Sequence, residues 1–178
     1  RLMYSGEVLR NTKNLYQSDR QYQQIGAELI GAPNDRGLLE IIQLVKKIIN
    51  NLKIKNTLID FSVPSLMRYL EKSINLKKNY GQTIREAIQN KDSSLIKDPK
   101  YKYLKKIIDC SGTISSAKNN YKKAKFPKEI NTFLQKFFKT LDYIKKNEKD
   151  ISITVDISEG NSFLNYQNIG FKVYNKDN

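Results

Sequence analysis

The chain has 178 residues, of which 39% are hydrophobic, and its 32 Lys and Arg outnumber 18 Asp and Glu to give a formal net charge of +14. This length and apolar content allow one domain with a sizeable core. A single cysteine and the absence of histidine exclude an internal disulfide and a cysteine-clustered metal site, so we expect neither a zinc site nor a cofactor.

Hydropathy and charge indicate where the protein is located and which partners it could bind. No apolar run approaches the roughly 20 residues that span a bilayer, and the N-terminus lacks the layout of a signal peptide, so we expect a soluble, cytoplasmic protein. The net charge would suit nucleic acid. The lysines are nevertheless spread over almost every predicted helix, which favours solvated helix faces over a dedicated nucleic-acid surface, although an acidic partner remains compatible.

The chain opens with a predicted β-hairpin, in which strands over residues 2–10 and 20–31 are joined by a polar loop over 11–19. Alternation in the second strand separates two faces. One carries Tyr22, Gln24, Gly26, Glu28 and Ile30, and the other carries Gln23, Ile25, Ala27 and Leu29. The first face is typical of a lined ligand cavity, where glycine permits close approach to the backbone, and the second of a core. The alternative is an ordinary hairpin with one solvated face.

Helices dominate the middle of the chain. Residues 32–35 break the strand and offer a cap for an amphipathic scaffold helix that runs to Leu52. Residues 57–62 predict a short strand, and Pro64 begins a helix over 64–74. A helical region over about 76–147 follows. It ends in a long helix from Pro127 whose wide apolar stripe must pack against a substantial surface.

The C-terminal part returns to strand character. Ile151, Ile153, Val155 and Ile157 alternate with polar residues, and residues 163–174 predict another strand. We expect both strands to join those of the opening hairpin in one sheet.

Two segments resemble a known family. The run GEVLR at 6–10, followed by RQYQQIGAELIG at 20–31, resembles motif 2 of class II aminoacyl-tRNA synthetases, in the version shared by histidyl-tRNA synthetase and the regulatory subunit of ATP phosphoribosyltransferase. Matching positions are Arg10, Arg20, Gln24, Gly26, Glu28 and Gly31, while Tyr22 replaces Phe and Gln21 replaces Glu. The run YQNIGFKVY at 166–174 resembles the family's Y-T-G-x-x-F segment, with Asn168 in place of glycine.

This resemblance implies an α+β fold, in which a class II synthetase-like antiparallel sheet is flanked by helices and interrupted by the helical insertion at about 76–147. Residues 1–178 would form a single domain, a partial core. Relative to the family, the chain starts just before motif 2 and stops before motif 3, so we expect either a fragment or a truncated protein.

The resemblance also assigns roles to individual residues. Arg10 and Tyr22 take former nucleotide-site positions, but Thr12 replaces an acidic residue that contacts adenine. Asn161 replaces an arginine that helps to activate histidine. Asparagine carries no charge, and losing a preorganised charge at a phosphoryl transition state costs on the order of 100-fold or more. Hence we expect no catalytic residue. What remains is a histidine-like pocket made by Gln24, Glu28 and Tyr166.

The resemblance therefore implies a non-catalytic regulatory subunit of ATP phosphoribosyltransferase in histidine biosynthesis. Such a protein assembles with a short catalytic subunit, activates it and mediates feedback by bound histidine; we expect a homodimer within a hetero-oligomer. Three alternatives stay open: a catalytic core fragment of histidyl-tRNA synthetase, a basic RNA-binding module, and a hairpin domain of an unrelated family.

Overall fold

A computed structural model gives the fold and describes residues 1–9, 20–73, 78–159 and 169–177. The chain divides into two units, Arg1–Leu52 and Lys53–Asn178. The expectation that residues 1–178 form a single domain stays a prediction.

The first unit is a β-hairpin followed by one helix. Strands β1 (Leu2–Leu9) and β2 (Gln21–Glu28) pair antiparallel, and helix α1 spans Asp35–Asn51. Asn34 caps α1, because its side-chain oxygen accepts a hydrogen bond from the backbone N–H of Gly37 at 3.0 Å. The predicted hairpin and helix cap are both confirmed.

The face of β2 that was predicted to pack against a core is the more exposed of its two faces. Tyr22, Gln24 and Gly26 are half-buried, whereas Ile25 is 74% exposed and Ala27 is also exposed. The register explains the difference: Met3 lies opposite Ala27 and is 80% exposed itself, so this face is uncovered on both strands. The prediction that Gln23, Ile25 and Ala27 face a core is therefore wrong for this structure.

The second unit is built around a sheet, and helices connect several of its strands along the chain. Its elements are β3 (Thr57–Ser62), α2 (Pro64–Ser73), α3 (Lys78–Gln89), α4 (Lys102–Asp109), β4 (Gly112–Thr113), α5 (Ile114–Lys123), α6 (Lys128–Asn147), β5 (Ser152–Val155) and β6 (Gly170–Asn175). The strand predicted at 57–62, the helix starting at Pro64 and the long helix after Pro127 are confirmed.

The sheet order is β4-β5-β3-β6, with β3 antiparallel to β6 and parallel to β5. The expectation that the C-terminal strands join the hairpin is therefore wrong. They pair with β3 instead, while β1 and β2 form a two-stranded sheet among the described residues. The parallel β3–β5 pair also makes this sheet mixed where only antiparallel pairing was expected. The helical segment between β3 and β5 is the long crossover connection that a parallel pair needs.

The sheet and α6 contribute much of the core, to which α2, α3, α4 and α5 also add buried residues. Phe61 on β3 is fully buried, and its ring lies 5.8 Å from that of Phe171 on β6. The predicted stripe of α6 is confirmed by its buried residues, Ile130, Leu134, Phe137, Phe138, Leu141 and Ile144. The ring of Tyr121 on α5 packs 5.2 Å from that of Phe138. Apolar burial by the helical segment thus stabilises the second unit.

Candidate functional site

The half-buried face of β2 is organised by Tyr4. In the register, Tyr4 lies opposite Gly26, and its ring crosses that glycine so closely that a β-carbon there would overlap the ring. The Gln24 side-chain amide donates a hydrogen bond to the Tyr4 hydroxyl at 3.1 Å. Glycine at position 26 therefore admits a close approach, as predicted, but the group that approaches is the chain's own tyrosine.

The structure places two residues of the predicted histidine-like pocket, Gln24 and Glu28, on one face of β2. Tyr22, Gln24 and Glu28 lie on the same face of β2, with Glu28 exposed at the end of the strand. Arg10 and Tyr166 lie outside the described residues, as do Thr12 and Asn161. That Gln24, Glu28 and Tyr166 contact a ligand stays a prediction.

A second polar group, in the second unit, was missed by the sequence analysis. We call it the polar row, and it consists of Asp60, Ser62, Thr154, Asp156 and Lys172. Asp60 on β3 lies opposite Thr154 on β5 and Lys172 on β6. The Thr154 hydroxyl donates to the Asp60 carboxylate at 2.5 Å. The available signal was the alternation of polar residues with Ile59, Phe61, Ile153 and Val155 in these strands.

Asp156 connects the polar row to the helical segment. Its carboxylate pairs with the Lys91 ammonium at 2.9 Å and accepts from the backbone N–H and hydroxyl of Ser158 at 3.1 and 2.5 Å. Its backbone N–H donates to the carbonyl of Phe61 at 2.8 Å, which extends the β3–β5 pairing. Because Lys91 follows α3, one carboxylate joins the end of that helix to the sheet.

The two aspartates of the polar row have pKa values shifted in opposite directions. Burial raises the pKa of Asp60 above its usual value, and the Asp156 charge adds to the increase, which the Thr154 hydrogen bond only partly offsets. Burial also acts to raise the pKa of Asp156. There the hydrogen bonds from Ser158 and Lys91 outweigh burial, and the pKa lies below its usual value.

Other chemistries have little support in the described part of the chain. Cys110 is buried, and burial raises the pKa of its thiol to about 12, so it is not a reactive nucleophile. The described residues contain no group of three or more metal-ligating side chains. Nor do they include a helix with the length and hydropathy to cross a bilayer.

The fold is that of a class II aminoacyl-tRNA synthetase-like core, with its helices inserted between strands of the sheet. A family model described as histidyl-tRNA synthetase matches residues 1–178. The chain therefore belongs to the histidyl-tRNA synthetase family.

Similar proteins carry a name that differs from that of the family model. The chain is 24% identical to an ATP phosphoribosyltransferase regulatory subunit of Gluconobacter oxydans over 88% of its length, and 23% identical to that of Teredinibacter turnerae over 98%. These matches cover 42% and 47% of the relatives, so the chain spans less than half their length.

Two solved structures are similar in fold. One is an ATP phosphoribosyltransferase regulatory subunit/histidyl-tRNA synthetase from Bacillus halodurans, with TM-score 0.72 and 16% identity, matched over 98% of this chain and 47% of that one. The other is an ATP phosphoribosyl transferase complex from Thermotoga maritima, also with TM-score 0.72 and 16% identity, over 99% and 63%. At such identities the likeness establishes the fold alone.

The contact between Tyr4 and Gly26 predicts how the hairpin responds to substitution. Gly26→Ala should lower the opening free energy of the hairpin by about 1–3 kcal/mol, because the new β-carbon displaces the Tyr4 ring. Amide hydrogen exchange of β1 and β2 measures this. Gly6→Ala is the matched control, since a β-carbon at Gly6 meets nothing within 4 Å. In a Tyr4→Ala background the effect of Gly26→Ala should vanish; an equal loss there would contradict the proposed contact.

The pair between Lys91 and Asp156 predicts a pH-dependent contribution to stability. Because the folded-state pKa of Asp156 is lowered, its contribution is present above the unfolded-state pKa of about 3.9 and is lost as pH falls through the folded value. Lys91→Met should raise the pKa of Asp156, as read from carboxyl carbon shifts, and destabilise more at pH 7 than at pH 2. Lys97→Met, at an exposed lysine, is the control. An unchanged Asp156 titration in Lys91→Met would refute the coupling.

Proposed function

We propose that the protein is a non-catalytic regulatory subunit of ATP phosphoribosyltransferase, which activates a short catalytic subunit and mediates feedback by histidine. The observation that carries this proposal is the match of the whole chain to the synthetase family together with the replacement of its reactive positions by Thr12 and Asn161. Asn161 cannot supply the positive charge that an arginine at this position provides for forming an aminoacyl-adenylate. The names of the Gluconobacter and Teredinibacter relatives support the same reading.

The ligand of this protein is proposed to be histidine, bound by Gln24, Glu28 and Tyr166. Since the Gln24 amide nitrogen donates one of its two N–H groups to Tyr4, the carboxamide oxygen and the second N–H remain for a ligand. The Gln24 oxygen and the Glu28 carboxylate, four residues further along the same face, are acceptors that suit the ammonium and imidazole N–H groups of histidine. Arg10 and Tyr22 are then remnants of a nucleotide site.

The partner is proposed to be the catalytic subunit, with this protein as a homodimer within the hetero-oligomer. The similarity to a chain of the Thermotoga maritima complex supports that assembly. Histidine feedback then requires a coupling free energy between the histidine site and the catalytic subunit, typically about 1–3 kcal/mol. Cytoplasmic location follows from a role in amino-acid biosynthesis.

A second candidate is the catalytic core of a histidyl-tRNA synthetase. The description of the matching family model and the double name of the Bacillus halodurans structure favour it. It would need another group to replace the charge missing at Asn161 and the carboxylate missing at Thr12.

Pyrophosphate exchange with histidine and ATP separates the two functions. The full-length protein should give exchange about 100-fold or more below that of an active histidyl-tRNA synthetase, because the missing charge raises the barrier to adenylate formation. An active histidyl-tRNA synthetase, assayed in parallel, is the control for the reagents. Robust exchange that depends on histidine would overturn the regulatory function.

A further inference from the structure

The polar row contains one buried hydroxyl that makes no hydrogen bond within the described residues. Ser62 is 2% exposed, and its side-chain oxygen has no partner there. A hydroxyl left in this condition is unfavourable, because it has lost its hydrogen bonds to water without replacing them. Most buried polar groups are satisfied, so this exception requires an explanation.

The position of Ser62 connects it to Asp60. The two residues are two positions apart on β3 and therefore lie on the same face of the sheet. Asp60 is half-buried, and its carboxylate accepts one hydrogen bond from the described residues, that of Thr154, which leaves most of its acceptor capacity available. Asp156 follows the residue paired with Phe61, so a second carboxylate lies at the Ser62 end of the row.

The charges around the row are unbalanced. Asp156 pairs with Lys91, and Glu159 pairs with Lys172 at 3.0 Å, so each of these carboxylates has an ammonium partner. Asp60 is the third carboxylate of the group, and its direct hydrogen bond comes from a neutral hydroxyl. Within the described part of the chain, these three carboxylates and two lysine ammonium groups sum to one negative charge, which one added cation would neutralise.

We propose that Asp60 and Ser62 bind a small ligand through a primary ammonium group. An ammonium supplies three donors, which match the Asp60 carboxylate and the unpartnered Ser62 oxygen. A charge-assisted hydrogen bond to a half-buried carboxylate is among the stronger polar contacts. A divalent metal fits less well, because two of the three carboxylates are already paired with lysine ammonium groups. This site is independent of the proposed histidine pocket on β2 and of the regulatory function.

The experiment titrates the full-length protein with methylammonium chloride and follows the backbone amide resonances of β3, β5 and β6. Tetramethylammonium chloride tests a cation without N–H donors, sodium chloride tests ionic strength, and magnesium chloride tests a metal. Saturable shifts at Asp60 and Ser62 with methylammonium alone are expected. Equal shifts with tetramethylammonium, sodium or magnesium would overturn the proposal.

Three variants sharpen the test. Asp60→Asn should weaken methylammonium binding about tenfold or more, because it removes a charged acceptor. Ser62→Ala should weaken it several-fold while folding at least as well as the parent, since it removes a buried hydroxyl without a described partner. Glu129→Gln, at an exposed carboxylate of α6, is the charge-matched control and should bind as the parent does. If Asp60→Asn does not fold, Ser62→Ala decides alone, and parental affinity in Ser62→Ala would refute the site.

Discussion

The second unit depends on the pairing of β3 with two strands that arrive from the far end of the chain. β3 lies between β5 and β6, and the helices α2 to α6 are inserted before either partner is reached. Closing so long a segment costs conformational entropy, which the burial of Phe61 and its contact with Phe171 help to offset. The polar row exists only once these pairs have formed, because its members come from three different strands.

Asp156 shows how the same pairing couples the sheet to the inserted helices. Its backbone extends the contact with β3 through Phe61, while its carboxylate holds Lys91 at the end of α3. A displacement of α3 would therefore break a charge-assisted contact at the sheet. In a regulatory protein, such a connection offers a route by which the helical segment and the sheet can respond together.

Local patterns predicted the elements well, and long-range contacts account for what they missed. The Asn34 cap, the strand at 57–62 and the α6 stripe each depend on residues close in sequence. The pairing of β5 and β6 with β3 depends on which strand ends up adjacent, and alternation carries no information about that. For the same reason, alternation alone could not show that the face of β2 that carries Ile25 is exposed.

The candidate sites were predictable to different extents. A family motif drew attention to Gln24 and Glu28, and alternation placed them correctly on one face of β2. The occupation of Gly26 by Tyr4 required the register of β1, which no local pattern supplies. Asp60, Ser62 and Asp156 are ordinary polar residues in their own strands, and they become a group only when β3 and β5 lie side by side.

The most direct test of the regulatory function is the activity of a reconstituted complex. The full-length protein would be mixed with a short catalytic ATP phosphoribosyltransferase subunit, and the rate of phosphoribosyl transfer would be measured with and without histidine. Adding the protein should raise the rate, and histidine should then inhibit the mixture more strongly than it inhibits the catalytic subunit alone. An unchanged rate, together with equal inhibition by histidine in both samples, would contradict the regulatory function.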